Sequence, residues 1–146
     1  MSTQKLILFV DDEELRTRRY RERLEILGEV RHLSSADEAL RTFKDPQVMQ
    51  RASLVVLDLG MYTGEGMSER DTGFGRLTGE VLRRNLRAQQ WTGPVIVLSN
   101  SPDERIREQV ENEGDDFRRK PHTTPIELRQ LAEARLTSAR SPHPAG

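Results

Sequence analysis

Residues 6–14 read LILFVDDEE, an apolar run that ends abruptly in acids. Lys5–Val10 predicts a strand buried on both faces, because it is continuously apolar and rich in branched side chains. Asp11 and Asp12 then stand where the strand stops. The same pattern recurs outward from this stretch. Residues 54–61 (LVVLDLGM) reach Asp58, residues 94–100 (PVIVLSN) reach Ser99, and the weaker run 115–121 (DDFRRKP) reaches Lys120. In an open parallel sheet the carboxyl ends of the strands lie side by side, and sites are built there. The expectation is three carboxylates, a hydroxyl and an ammonium gathered at one edge.

Amphipathic stretches separate these runs. Glu13–Leu27 predicts a helix that stops at Gly28, and Val30–Leu33 a short strand. Ser34 or Ser35 would cap a helix over Ala36–Phe43, which Asp45-Pro46 ends. Strands over Leu54–Leu57 and Val95–Leu98 flank a Gly-rich stretch and a helix over Gly79–Gln90. A further helix runs from Pro102 or Asp103 to about Glu113. Phe117–Arg119 is a brief strand whose paired arginines fit a sheet edge. Thr124 and Pro125 open the last helix, with Leu128, Leu131, Ala132 and Leu136 as its buried stripe. Five βα units predict an α/β domain over 5–137, a parallel sheet with helices on both faces, and a tail at 138–146.

With 146 residues, one core is expected. Hydrophobic residues make up 34% and charged residues 32%, a polar but globular balance. The net charge of −1 gives no basis for binding nucleic acid or an anionic membrane. The stretch RTRRYRERLE is interleaved with Glu22 and Glu25. The spacings Glu14–Arg18 and Arg21–Glu25 predict a solvated, paired helix face. There is no cysteine, and His32, His122 and His143 lack metal-ligand spacing. The apolar N-terminal stretch is too short to span a membrane and runs into acids rather than a cleavage site, so a cytoplasmic protein is expected. Gly60, Gly64 and Gly66 lack the Gly-Lys-Ser/Thr ending of a nucleotide loop. Trp91 is expected to be a structural anchor.

Crowding three carboxylates costs roughly 4 kcal/mol per close pair at an effective dielectric near 20. A hard divalent ion relieves that repulsion and screens an incoming phosphate. Asp58 is the expected nucleophile, while Ser99 and Lys120 would each meet a phosphoryl oxygen. Phosphoryl transfer needs little beyond such positioning and charge neutralisation.

In these features, over Lys5 to Leu136, the chain resembles the receiver domain of bacterial two-component response regulators. The resemblance implies a flavodoxin-like (βα)5 three-layer sandwich with strand order 2-1-3-4-5. It implies that Asp58 takes phosphate from the phosphohistidine of a sensor histidine kinase or a histidine phosphotransfer protein. Mg²⁺, with Mn²⁺ as an alternative, would be held by Asp12, Asp58 and the carbonyl of Gly60, and by Asp11 through water. Lys120-Pro121 would be joined by a cis bond. Ser99 and Phe117 would relay phosphorylation to the face formed by the helix before Phe117–Arg119, that strand and the last helix, and so to a downstream protein. The chain is expected to be a stand-alone switch, monomeric or weakly dimeric when phosphorylated. It would phosphorylate and dephosphorylate itself but process no external substrate.

Three departures stand out. Met61 is followed by Tyr62 where Met-Pro is expected, and the helix-opening glycine falls only at Gly79, so residues 62–78 contain an insertion. Asn100 follows Ser99 where a small residue is expected. Arg118 and Arg119 make a basic approach to Lys120. The insertion reads either as a mobile surface excursion or as a lid or partner-contacting loop, with Met67, Phe74 and Leu77 docking on a partner or on the domain itself. Small residues at Gly60 and Ser101 predict an open path for water and a short-lived phosphoform. Two other classes compete: an interaction module that is never phosphorylated, and a metal-dependent phosphatase. The latter commonly has a second acid where this chain has Gly60.

Overall fold

A computed structural model describes residues 4–100 and 103–138. Ser101, Pro102 and the tail from residue 139, on which expectations were placed, lie outside them. The elements are β1 (Leu6–Val10), α1 (Glu14–Leu24), β2 (Glu29–Leu33), α2 (Ala36–Phe43), α3 (Pro46–Arg51) and β3 (Ala52–Asp58). They continue with α4 (Thr78–Ala88), β4 (Val95–Ser99), α5 (Glu104–Asn112), β5 (Asp116–Arg119), a 3-10 turn (Lys120–His122) and α6 (Pro125–Thr137). All five strands are parallel, in the order β2-β1-β3-β4-β5. This is the order that the resemblance implied, with the charged strand at an edge.

Strand alternation divides the core between the two faces of the sheet. Leu6, Leu8, Val10, Val55, Leu57 and Val97 pack with Phe43, Met49, Leu82, Leu86 and Val110, placing α2 to α5 on one face. Ile7, Phe9, Val56, Ile96 and Leu98 pack with Tyr20, Leu24, Leu128 and Ala132, placing α1 and α6 on the other. Both expected caps are formed. Ser35 accepts from Glu38 N, and Thr124 forms a reciprocal capping box with Glu127. Trp91 is an anchor, its Nε1 donating to Met49 O at 3.1 Å.

Two local readings need correction. Asp45-Pro46 ends α2, but it also begins α3: the Asp45 carboxylate accepts from Gln47 N and Val48 N, and Pro46 opens the helix. The Lys120–Pro121 bond is trans, since the described residues contain no cis peptide. Pro121 sits in the 3-10 turn, where its fixed φ and missing N–H suit the first turn of a helix.

Gly79 sets the distance between α4 and the site. A Cβ there would lie 2.2 Å from Asp58 O and 2.8 Å from Leu59 Cα. Its N–H donates to Leu59 O at 2.9 Å. Only glycine lets the helix start so close to the strand end that positions Asp58.

Candidate functional site

The strand ends converge as expected. Asp11, Asp12 and Asp58 each offer a carboxylate oxygen, all within 4.8 Å of one another. Lys120 Nζ reaches over from the turn after β5 to 3.2 Å from Asp58 Oδ1. Ser99 is buried at the end of β4 and lines a cleft of about 200 Å³ with Asp58, Gly60, Asn100 and Asp103. Phe117 is 2% exposed and packs inside the core.

The three acids differ in their surroundings. Asp11 is fully buried, and a dense set of groups engages it. Glu13 N donates to Oδ1 and the Thr17 hydroxyl to Oδ2, both at 2.5 Å. Arg21 donates to Thr17 Oγ1 at 2.7 Å and lies 3.5 Å from Asp11 Oδ2. His32 Nε2 lies 2.9 Å from Asp11 O and 3.2 Å from Oδ2; both atoms accept, so Nε2 holds the proton. Sequence reasoning missed the roles of Thr17, Arg21 and His32. Arg21 was placed on a solvated face with Glu25, yet it turns inward and its guanidinium lies 5.9 Å from the centre of the Phe9 ring. The available signal was register: His32 pairs with Phe9 across β1 and β2, two residues from Asp11.

Asp58 is 5% exposed. Its carboxyl is pushed up to about 6, chiefly by burial; Lys120 pulls the other way, and Asp11 and Asp12 add repulsion. The fold therefore retains this proton at pH values where the unfolded chain has released it. The stability tied to that proton is fully present below about pH 4 and is lost as pH rises through about 6. At pH 7 the metal-free protein bears a penalty of up to about 3 kcal/mol, at about 1.4 kcal/mol per pH unit. Asp58→Asn is expected to stabilise the metal-free protein at pH 7 and to flatten the loss of stability between pH 4 and 7. Urea unfolding at several pH values checks this, and a variant no more stable than wild type at pH 7 contradicts it.

The turn bearing Lys120 is tied to α1 by Tyr20, whose phenol donates to Thr123 O at 2.7 Å and lies 3.2 Å from Lys120 O. The stretch between β3 and α4 packs in part on the domain itself. Met67 and Leu77 pack against the core, while Tyr62 and Phe74 stay exposed, Phe74 in the left-handed region at φ 58°.

An all-oxygen cluster with buried Asp11 and Asp58 and exposed Asp12 fits a hard divalent cation entering from solvent. With no cysteine in the chain, soft thiolate chemistry is absent.

The chain matches no protein-family model and no curated protein. Solved structures do resemble it, among them many response regulator receiver domains. A CheY-like receiver domain protein from Methanospirillum hungatei is 21% identical with a TM-score of 0.69, covering 91% of this chain and 94% of its own. A receiver domain protein from Clostridium thermocellum is 25% identical with a TM-score of 0.68, covering 90% and 94%. The response regulator TrrA of Thermotoga maritima, in complex with Mg²⁺-BeF, is 23% identical with a TM-score of 0.64, covering 89% and 97%. The fold of this chain is that of CheY-like receiver domains along about nine-tenths of its length. No helix among the described residues is long and apolar enough to cross a membrane.

Proposed function

We propose that this chain is a phosphoacceptor switch in which Asp58 takes a phosphoryl group from a phosphohistidine in a divalent-metal-dependent reaction. The observation that supports this most is Lys120 Nζ at 3.2 Å from Asp58, beside two further carboxylates within 4.8 Å. Asp12, Asp58 and the Gly60 carbonyl would hold Mg²⁺ directly, with Asp11 acting through water. Once bound, the ion supplies charge neutralisation for the phosphoryl oxygens. An Asp58 oxygen forms the new P–O bond as the P–N bond of the donor breaks, and the departing imidazole takes up a proton. Lys120 and Ser99 meet phosphoryl oxygens that would otherwise repel the carboxylates.

The switch works through differential contacts. A phosphoryl group on Asp58 competes for Lys120 and Ser99, and the effect spreads over the face made by α5, β5 and α6 to a downstream protein. The donor is a histidine kinase or histidine phosphotransfer protein in the cytoplasm. Incubation with acetyl phosphate and Mg²⁺ followed by intact-mass measurement tests the reading. One added phosphoryl group that disappears with a chelator is expected. No mass gain under any donor would leave a fold used only for protein contact.

A further inference from the structure

Tyr62 stands where the receiver pattern leads one to expect proline, and this gives the chain a donor that proline lacks. Tyr62 N donates to Asp12 Oδ2 at 3.0 Å. Asp12 is the exposed member of the acid cluster. Asp11 is fixed by Thr17 and His32, and Asp58 faces Lys120. The Tyr62 side chain is 70% exposed, so what the residue gives the site is its backbone N–H.

That amide is held from two sides. Met61 N donates to Gly75 O at 2.9 Å and the Thr78 hydroxyl to Met61 O at 2.6 Å, while the buried Thr63 and Thr72 hydroxyls pair at 2.6 Å. These bonds close the neck of the insertion in the manner of an Ω-loop. At the far side, Asp37 in the first turn of α2 accepts from Glu65 N at 2.9 Å and from Gly66 N at 2.7 Å. Gly64 sits at φ +78°, and a Cβ there would come within 2.8 Å of the Asp37 carboxylate. A first-turn acid is ordinarily explained by the helix dipole alone. Two consecutive amides converging on Asp37 are not, and they lower its pKa, Glu65 N more than Gly66 N.

We propose that the insertion is a positioning strap for the cation site: anchored on Asp37, it presents the Tyr62 N–H to one oxygen of Asp12 and so leaves the other oriented for the metal. A carboxylate oxygen has lone pairs enough for one such bond without losing its capacity as a ligand. The inference rests on the phosphoacceptor reading and concerns the metal step within it.

The test is calorimetric titration of the full chain with Mg²⁺ alone. Tyr62→Pro removes the N–H and is expected to raise the Mg²⁺ Kd about tenfold, at the low end for groups that orient a ligand. Tyr62→Ala keeps the N–H and should stay within about twofold of wild type. Asp37→Ala should weaken binding in the same direction as Tyr62→Pro, and Asp37→Asn, which keeps an acceptor, should restore it. Urea unfolding without metal separates a positioning effect from loss of fold. If Tyr62→Pro does not fold, the Asp37 pair decides. Wild-type affinity in Tyr62→Pro, or an equal loss in Tyr62→Ala, overturns the strap. A wild-type protein that takes up Mg²⁺ and phosphate beside an unaffected Tyr62→Pro overturns the strap alone. One that binds no Mg²⁺ overturns the switch with it.

Discussion

Arg83→Ala will destabilise the fold by about 3–5 kcal/mol, the range found when one partner of a buried ion pair is removed. Arg83 is fully buried on α4. Its guanidinium donates twice to Glu80, at 3.0 and 2.7 Å, once to Asp115 at 3.0 Å and once to Glu113 at 2.9 Å. Burial pulls its pKa down, but these carboxylates more than offset that and hold it above its usual value. Arg87 also pairs with Asp115, and Arg84 with Glu80. Three guanidinium groups thus balance three carboxylates, and without Arg83 the buried acids Glu80 and Asp115 lose their shared partner. Arg83→Lys will not rescue the loss, because an ammonium cannot reproduce the two-pronged contact with Glu80. The exposed pair Arg107–Glu111 provides the control, since breaking it is expected to cost less than about 1 kcal/mol. Urea unfolding distinguishes the two, and a loss below about 1 kcal/mol for Arg83→Ala would contradict this account. The network matters for the site because it ties α4, which abuts Asp58 through Gly79, to the turn that leads into Phe117 and Lys120.

The sheet was legible because buried parallel strands announce themselves as unbroken apolar runs, as in Leu54–Leu57 and Val95–Leu98. The acids, Ser99 and Lys120 were legible because each ends such a run, and strand ends share an edge. What escaped was whatever depends on partners distant in sequence. The six residues of α3 are too few to show a period, and Asp45-Pro46 reads equally well as a stop and as a start. Arg21 looks solvated beside Glu25 because nothing local shows that its helix face abuts Asp11. The Arg83 cluster joins residues up to 32 positions apart. The fold of the Gly-rich stretch after β3 was not legible either: Gly64, Gly73 and Gly75 adopt positive φ within a loop whose neck is closed by Thr63, Thr72 and Thr78. Pro121 was read as cis from the resemblance alone, whereas the 3-10 turn accommodates it in trans.

Asp58→Asn will abolish phosphoryl uptake while leaving the fold intact. The substitution keeps the shape of the side chain but removes the anion proposed as the nucleophile, and no other group in the cluster is placed to replace it. Asp11 is fully buried and occupied by Thr17, Arg21 and His32. Asp12 is exposed at the rim, and Lys120 pairs with Asp58. Lys120→Ala is expected to impair uptake without eliminating it, since the carboxylate survives and only its counter-charge is lost. Removing a group that stabilises developing charge typically costs about 100- to 1000-fold in rate.

The most direct measurement is phosphopeptide mapping after reaction of the wild-type chain with acetyl phosphate and Mg²⁺, run in parallel with Asp58→Asn. A single phosphate, labile to base and to hydroxylamine, is expected on the peptide containing Asp58 and is absent from the variant. Phosphate found at another residue, or equal labelling of Asp58→Asn, would contradict it.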